Sequence, residues 1–154
     1  MGTLSDELER CALIAIDTPP FIYFFERHPQ FLPISESVIS RCDDLDDPLQ
    51  AITSVITVTE VMVRPFQLGQ QELARAYERR LTGQRGLTVI PVDTDIAVRA
   101  AELRARYRFP VPDAVQLATA IETGCQLFVT NDSRLRRVTE IPIAVLSDYL
   151  AAGS

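Results

Sequence analysis

The side chains able to do proton or ligand chemistry in this sequence are overwhelmingly carboxylates: 21 Asp and Glu against one histidine and three cysteines. One histidine excludes a His-rich metal site, and His28, between Arg27 and Pro29, stands in no nucleophile motif and is expected at the surface. Cys11, Cys42 and Cys125 are too scattered for a disulfide framework or a zinc cluster and are expected as free thiols. Chemistry here therefore has to run on carboxylates. Four of these stand next to apolar runs that look like strands, or at the head of a helical pattern. Asp17 follows Leu13-Ile14-Ala15-Ile16, and Asp132 follows the run that ends at Thr130. Glu60 lies a few residues past a β-branched run, and Asp113 opens a helical pattern behind Pro112.

The elements that must position these acids alternate between two periodicities. Strands are predicted at Leu13 to Ile16, Ala51 to Ile56, Leu87 to Val92, Gln126 to Thr130 and Ile141 to Leu146. Helical spacing is expected at Phe21 to Glu26 and Ser35 to Cys42, and at Thr59 to Val63 with a stop at Pro65. It recurs at Leu73 to Leu81, closed by Gly83 and Gly86, at Ile96 to Tyr107, and at Ala114 to Ile121 with Gly124 as its end. Strands separated by helices imply parallel crossovers, hence a three-layer α/β/α domain with a central, mainly parallel five-stranded sheet. No repeat or linker interrupts the chain, so residues 1–154 are expected to form one domain with its core at about 12–146. In an open parallel sheet, ligands bind beyond the carboxyl ends of the strands where strand order reverses, and all four acids could converge there. Each also has a structural alternative: Asp17, Asp113 and Asp132 as helix N-caps, and Glu60, expected to be partly buried, as the i,i+4 partner of Arg64. Asp93 and Asp95 are expected to cap the Ile96 helix.

Four stretches, taken together, resemble those of PIN-domain proteins, small Mg²⁺-dependent nucleases that include the VapC toxins of VapBC toxin–antitoxin pairs. They are Ile16-Asp17-Thr18 running on to Glu26, Thr57-Val58-Thr59-Glu60 running on to Pro65, Pro112-Asp113-Ala114-Val115-Gln116-Leu117-Ala118-Thr119-Ala120, and Phe128-Val129-Thr130-Asn131-Asp132. Their order, and separations of 43, 53 and 19 residues between the acids, are similar to the family's. The resemblance implies catalytic, metal-binding roles for Asp17, Glu60, Asp113 and Asp132, with Thr18, Thr130 and Asn131 supporting them. Pro19-Pro20 departs from the family, which has a small polar residue after Asp-Thr, and puts a secondary contact in doubt. The implied activity is endonucleolytic hydrolysis of RNA by metal-activated water, with Mg²⁺ as cofactor and Mn²⁺ able to substitute, leaving a 5′-phosphate and a 3′-hydroxyl. That chemistry suits these residues. A divalent ion lowers the pKa of water and stabilises the leaving oxygen, whereas two carboxylates 4 Å apart repel by about 4 kcal/mol at an effective dielectric near 20.

The net charge of −6 excludes a general nucleic-acid coat, but it is unevenly spread. Residues 1–60 carry 11 acids and 3 arginines, and residues 61–154 carry 10 acids and 12 arginines; lysine is absent. Arg134, Arg136 and Arg137, beside Asp132, are the leading candidates to hold RNA, ahead of arginines paired as in Glu102–Arg106 and Glu72–Arg75. The resemblance further implies a small antitoxin partner, whose groove Phe21, Tyr23, Phe24, Phe25 and Phe31 could help line, and a homodimer. No apolar stretch approaches membrane-spanning length, and the acidic N-terminus is unlike a secretory signal, so a cytoplasmic protein is expected. Two further readings stay open: a catalytically silent PIN-like module binding RNA or protein, and a stand-alone housekeeping PIN nuclease. A haloacid-dehalogenase-type phosphatase would need a second Asp two residues after the first, where Pro19 stands.

Overall fold

The computed structural model describes residues 2–150. Five strands, β1 (Leu13–Ile16), β2 (Gln50–Ser54), β3 (Leu87–Ile90), β4 (Leu127–Thr130) and β5 (Ile143–Val145), form one sheet in the order β3-β2-β1-β4-β5. Every pairing is parallel. The chain winds outward from β1 through β2 to β3, then crosses back and continues through β4 to β5. Strand order thus reverses between β1 and β4, which pair with Ile16 opposite Val129.

Alternation along the strands divides the core in two. Ile14, Ile16, Leu127 and Val129 join one buried cluster, with Leu8, Phe21, Val38, Val61 and Leu81. Ala15, Ile52 and Phe128 join the other, with Leu103, Leu117 and Ala118. The first cluster is covered by α1 (Leu4–Glu9), α2 (Thr18–Phe25), α3 (Leu32–Ile39), α4 (Val55–Gln67), α5 (Gln71–Thr82) and the short α8 (Ser147–Leu150). The second is covered by α6 (Thr94–Tyr107) and α7 (Val111–Glu122). Burial on both faces with period-2 sorting, complete along β4 and loosening at the edge strand β3, is what a parallel sheet covered on both faces requires. Among the described residues no helix is long and apolar enough to cross a membrane.

Several boundaries differ from the sequence expectation, each for a local reason. The second strand stops at Ser54, not Ile56, because the Ser54 hydroxyl accepts the Ile56 N–H at 3.1 Å and opens α4. Pro65 does not stop that helix, which runs on to Gln67. A proline interrupts one rung of the helix ladder, and the buried face of Val61, Met62 and Pro65 holds the helix together across it. Pro19 and Pro20 fall in the first turn of α2, where their missing N–H groups would have no helical partner in any case. The third strand ends at Ile90 and the fifth covers only Ile143–Val145. Helix α1, closed by a capping box between Thr3 and Asp6, and helix α8 had no counterpart in the sequence reading. As expected, Asp93 caps α6 and Gly124 follows the end of α7, whereas Asp95 is not a cap but lies within the first turn of α6.

Candidate functional site

The four acids reach the carboxyl-terminal edge of the sheet by four different routes. Asp17 is the residue after β1, and its backbone N–H donates to the Val129 carbonyl at 2.9 Å, which fastens it to the end of β4. Its carboxylate is buried at 5% exposure. Oδ1 accepts the Thr18 N–H at 2.8 Å, capping α2, and Oδ2 accepts the Thr130 hydroxyl at 2.8 Å. Asp132 caps the 3-10 turn Ser133–Arg137 by accepting the Arg134 N–H at 2.9 Å, while its own N–H donates to the Thr130 hydroxyl at 3.1 Å. Thr130 therefore ties together the acids that follow β1 and β4.

Asp113 sits in the first turn of α7 but is not its N-cap; that position belongs to Pro110. Proline is tolerated at a helix start, so the cap falls earlier and Asp113 is free to project from the helix head. Glu60 also departs from expectation. It lies in the second turn of α4 and is exposed, not partly buried. Its Oε1 accepts the Thr18 hydroxyl at 2.7 Å, and Arg64 instead approaches Glu26 at 3.5 Å. The apolar neighbours of Glu60 in sequence lie on the other sides of an amphipathic helix.

The four charges act on one another. Burial, helped by the nearby charges of Asp113 and Glu60, raises Asp17 from 3.8 to about 7, against the hydrogen bonds from Thr130 and Thr18. Asp113 is also raised, first by burial and then by Asp132 and Glu60, with Arg134 opposing. Asp132 is lowered by its hydrogen bonds from Arg134. The Arg134 guanidinium lies across two of the acids: Nη2 is 2.5 Å from Asp132 Oδ2 and 3.2 Å from Asp113 Oδ2. Neither of the other expected RNA-binding arginines is there. Arg136 pairs with Asp148 of α8, and Arg137 donates to the Tyr107 carbonyl at 2.9 Å and lies over the Phe109 ring.

Asn131 is also occupied elsewhere, donating to the Tyr23 hydroxyl at 3.0 Å and accepting the Ser147 N–H at 3.0 Å. Phe21 belongs to the core; Tyr23 and Phe31 stack on each other and flank His28, and Phe24 carries Arg80 above its ring. His28 is half-buried, not a surface residue. The arginine pairs differ too: Arg75 meets Glu78, Arg99 meets Glu102, and Arg106 meets Glu140. Behind the acids lies a polar cluster of buried Thr18, Thr53, Thr57 and Gln116, of which the sequence singled out Thr18 alone. The sequence signal for the others is a hydroxyl or amide residue in an otherwise apolar strand or helix, Thr53 in β2, Thr57 in α4 and Gln116 in α7.

Oxygen donors of this kind suit Mg²⁺, which takes one or two carboxylates directly and keeps several waters. Among the described residues no three carboxylate, thiol or imidazole groups stand together as they would to hold a metal ion. Threonine hydroxyls hold Asp17 and Glu60, and the Arg134 guanidinium spans Asp113 and Asp132.

Solved structures share the fold. A chain of a toxin–antitoxin complex from Klebsiella pneumoniae is 23% identical, with a TM-score of 0.64 over 86% of this chain and 97% of that one. A chain of VapBC2 from Rickettsia felis, bound to a DNA fragment from its promoter, is 15% identical, with a TM-score of 0.65 over 86% and 98%. Mycobacterium tuberculosis VapC20, a sarcin–ricin-loop-cleaving toxin, is 17% identical, with a TM-score of 0.61 over 75% and 86%. No curated protein sequence matches the chain. The sequence profile of the PIN domain matches residues 14–141, a span that takes in Asp17, Glu60, Asp113 and Asp132. With that span, the all-parallel sheet and the acids gathered at its reversal point, the chain belongs to the PIN domain family.

Proposed function

We propose that this chain is a divalent-metal-dependent endoribonuclease and the toxin of a toxin–antitoxin pair, formed by one domain. The observation that carries the reading is the meeting of acids from four distant segments at the reversal point between β1 and β4, close enough for Asp113 and Glu60 to raise the proton affinity of buried Asp17. Asp17, Glu60, Asp113 and Asp132 would hold Mg²⁺, with Mn²⁺ able to replace it. When bound, such an ion lowers the pKa of water and stabilises charge on a departing oxygen. The protein's own part is positional. Thr130 and the Thr18 N–H hold both oxygens of Asp17, and the Thr18 hydroxyl holds Glu60. Arg134, once displaced from Asp113 and Asp132, is the nearest fork for an RNA phosphate. Arg136 and Arg137 would add only peripheral attraction.

The toxin assignment draws on the VapBC relatives of the fold. A small antitoxin is the corresponding partner, and exposed Val63, Phe66, Leu68 and Leu73 on and between α4 and α5 offer apolar surface for a homodimer. A second reading, a PIN module without catalysis, draws on Arg134 already filling the space between two acids. Calorimetry with Mn²⁺ on the native chain and Asp113→Asn separates the two. The nuclease reading requires binding by the native chain and a loss of tenfold or more in a folded variant, together with metal-dependent RNA cleavage. That cleavage should be suppressed by the product of a small neighbouring reading frame. Absence of metal binding by the native chain would select the silent module.

A further inference from the structure

The polar cluster behind the acids can be resolved hydrogen by hydrogen. Each threonine hydroxyl has one hydrogen to give, and a glutamine amide has two. Gln116 Oε1 accepts the Ser54 N–H at 3.4 Å, which turns Nε2 toward Thr18 Oγ1 at 3.2 Å and Thr57 Oγ1 at 2.8 Å. Thr53 spends its hydrogen on the Ile16 carbonyl at 2.7 Å, so the hydrogen in its 2.7 Å contact with Thr57 belongs to Thr57. Thr18 spends its hydrogen on Glu60 Oε1. No hydrogen remains for the 3.1 Å approach of the Thr18 and Thr57 oxygens, which are held side by side because both accept from one amide. The chain of donors thus has a single direction, from the Gln116 amide through Thr18 to the Glu60 carboxylate.

We infer that Gln116 is a positioning residue for Glu60, acting through Thr18. By occupying the Thr18 lone pair as a donor, the buried amide leaves that hydroxyl one favourable use for its hydrogen, toward Glu60. A hydroxyl that accepts a hydrogen bond is also the stronger donor. Glu60 needs such a device more than Asp17 does, since it is exposed on a helix face and its only hydrogen bond among the described residues is from Thr18. The inference rests on the metal-site reading of Glu60 given above and adds to it a residue that touches none of the four acids.

Two readouts test it. In ¹⁵N spectra of the metal-free chain, the Gln116 side-chain amide signals should be protected from exchange. They should shift on Glu60→Ala and Thr18→Val while staying unmoved on Asp132→Asn. In calorimetry with Mn²⁺, Gln116→Met should weaken binding about tenfold, as loss of an outer partner of a metal ligand does. It should add nothing further in a Thr18→Val background, whereas Thr18→Ser, which keeps the hydroxyl, should retain native affinity. Equal weakening by Gln116→Met with and without the Thr18 hydroxyl would make Gln116 an ordinary core residue and overturn the inference. So would amide signals indifferent to Glu60→Ala. If Gln116→Met does not fold, the Thr18→Ser and Thr18→Val pair and the native spectra decide. Failure of the native chain to bind Mn²⁺ overturns the nuclease reading alone, and the amide spectra still test the relay.

Discussion

Asp17 is at once the most buried of the four acids and the one whose ionisation costs the fold most. A carboxyl raised from 3.8 to about 7 keeps its proton in the native state across a pH range where the unfolded chain has lost it. The native state then binds more protons than the unfolded state, so this group's contribution to stability falls as pH rises from about 4 to 7 and levels off above. Asp17→Asn should therefore raise the stability of the metal-free chain at pH 8 by roughly 1–3 kcal/mol, the relief of ionisation less the cost of a rebuilt hydrogen bond. At pH 4 the gain should vanish. Urea unfolding at both pH values measures this, and an equal effect at both would refute the account of Asp17. Arg134 poses a different problem, because on the proposed function its guanidinium and an incoming metal ion would compete for Asp113 and Asp132. Arg134→Ala should tighten Mn²⁺ binding about three- to tenfold by removing a state that must open first, yet lower kcat/KM for RNA if the freed arginine serves phosphate. Calorimetry showing unchanged or weaker metal binding would end the competition argument. Asp17 and Asp132 stood out in the sequence by the strand ends before them and Asp113 by its helix head, whereas Glu60, in the second turn of α4, stood out only through the stretches that resemble the PIN family. Arg134 as their cation did not stand out, since its bond to Asp113 joins different elements and sequence distance carries no sign of it. Nor does capping use up Asp17, which caps α2 with one oxygen and accepts from Thr130 with the other.

The elements were legible where an apolar period ran uninterrupted and misjudged where a single residue decided the boundary. Ser54 ends β2 by capping α4, although Val55 and Ile56 continue the β-branched run and look like strand. Pro65 looks like a helix stop, but local propensity yields to the buried face that α4 turns to the core. Gly124 is the helix end that its place after the apolar period predicts. Its φ of +77° lets the Cys125 and Gly124 N–H groups close α7 on the Ala120 and Ile121 carbonyls. Gly86 had a second, hidden reason to be glycine. A Cβ there would stand 2.7 Å from the Cys42 carbonyl oxygen and 3.0 Å from its Cα, both backbone atoms, whereas one at Gly124 would meet nothing within 4 Å. The two substitutions should therefore fail differently. Gly124→Ala should cost about 1–2 kcal/mol from left-handed strain alone, and Gly124→Asn less, because asparagine tolerates that conformation. Gly86→Ala has no conformational remedy and should cost about 1–3 kcal/mol by pushing β3 away from the loop before β2, with Gly86→Asn at least as harmful. Denaturant midpoints for the four variants test the distinction, and rescue by asparagine at Gly86 would contradict it.

For the whole molecule, the sheet order matters more than any one strand. Alternating strands and helices indicated a parallel sheet, but no local pattern fixed β1 at the centre, where the return of the chain to β4 makes the reversal point. That placement puts Asp17 at the carboxyl end of the central strand and couples the site to the stability of the entire domain. A ligand bound only by the folded state stabilises it by about 2.7 kcal/mol at one hundred times its dissociation constant, which for a chain of this size raises Tm by about 5–11 °C. Mn²⁺ should produce such a rise at pH 8. Below about pH 7 the ion must also expel the proton that burial keeps on Asp17, so apparent affinity should fall toward tenfold for each unit of pH lost. At pH 6 and the same Mn²⁺ concentration the rise in Tm should shrink accordingly. Asp17→Asn should abolish it at both pH values even as it stabilises the metal-free chain at pH 8, since an amide carries no charge to offer the ion. Melting curves of the two proteins at pH 6 and 8, with and without Mn²⁺, hold all four comparisons. A metal-induced rise that ignored pH would mean that the ion binds away from Asp17, and a rise surviving in Asp17→Asn would locate it outside the reversal point altogether.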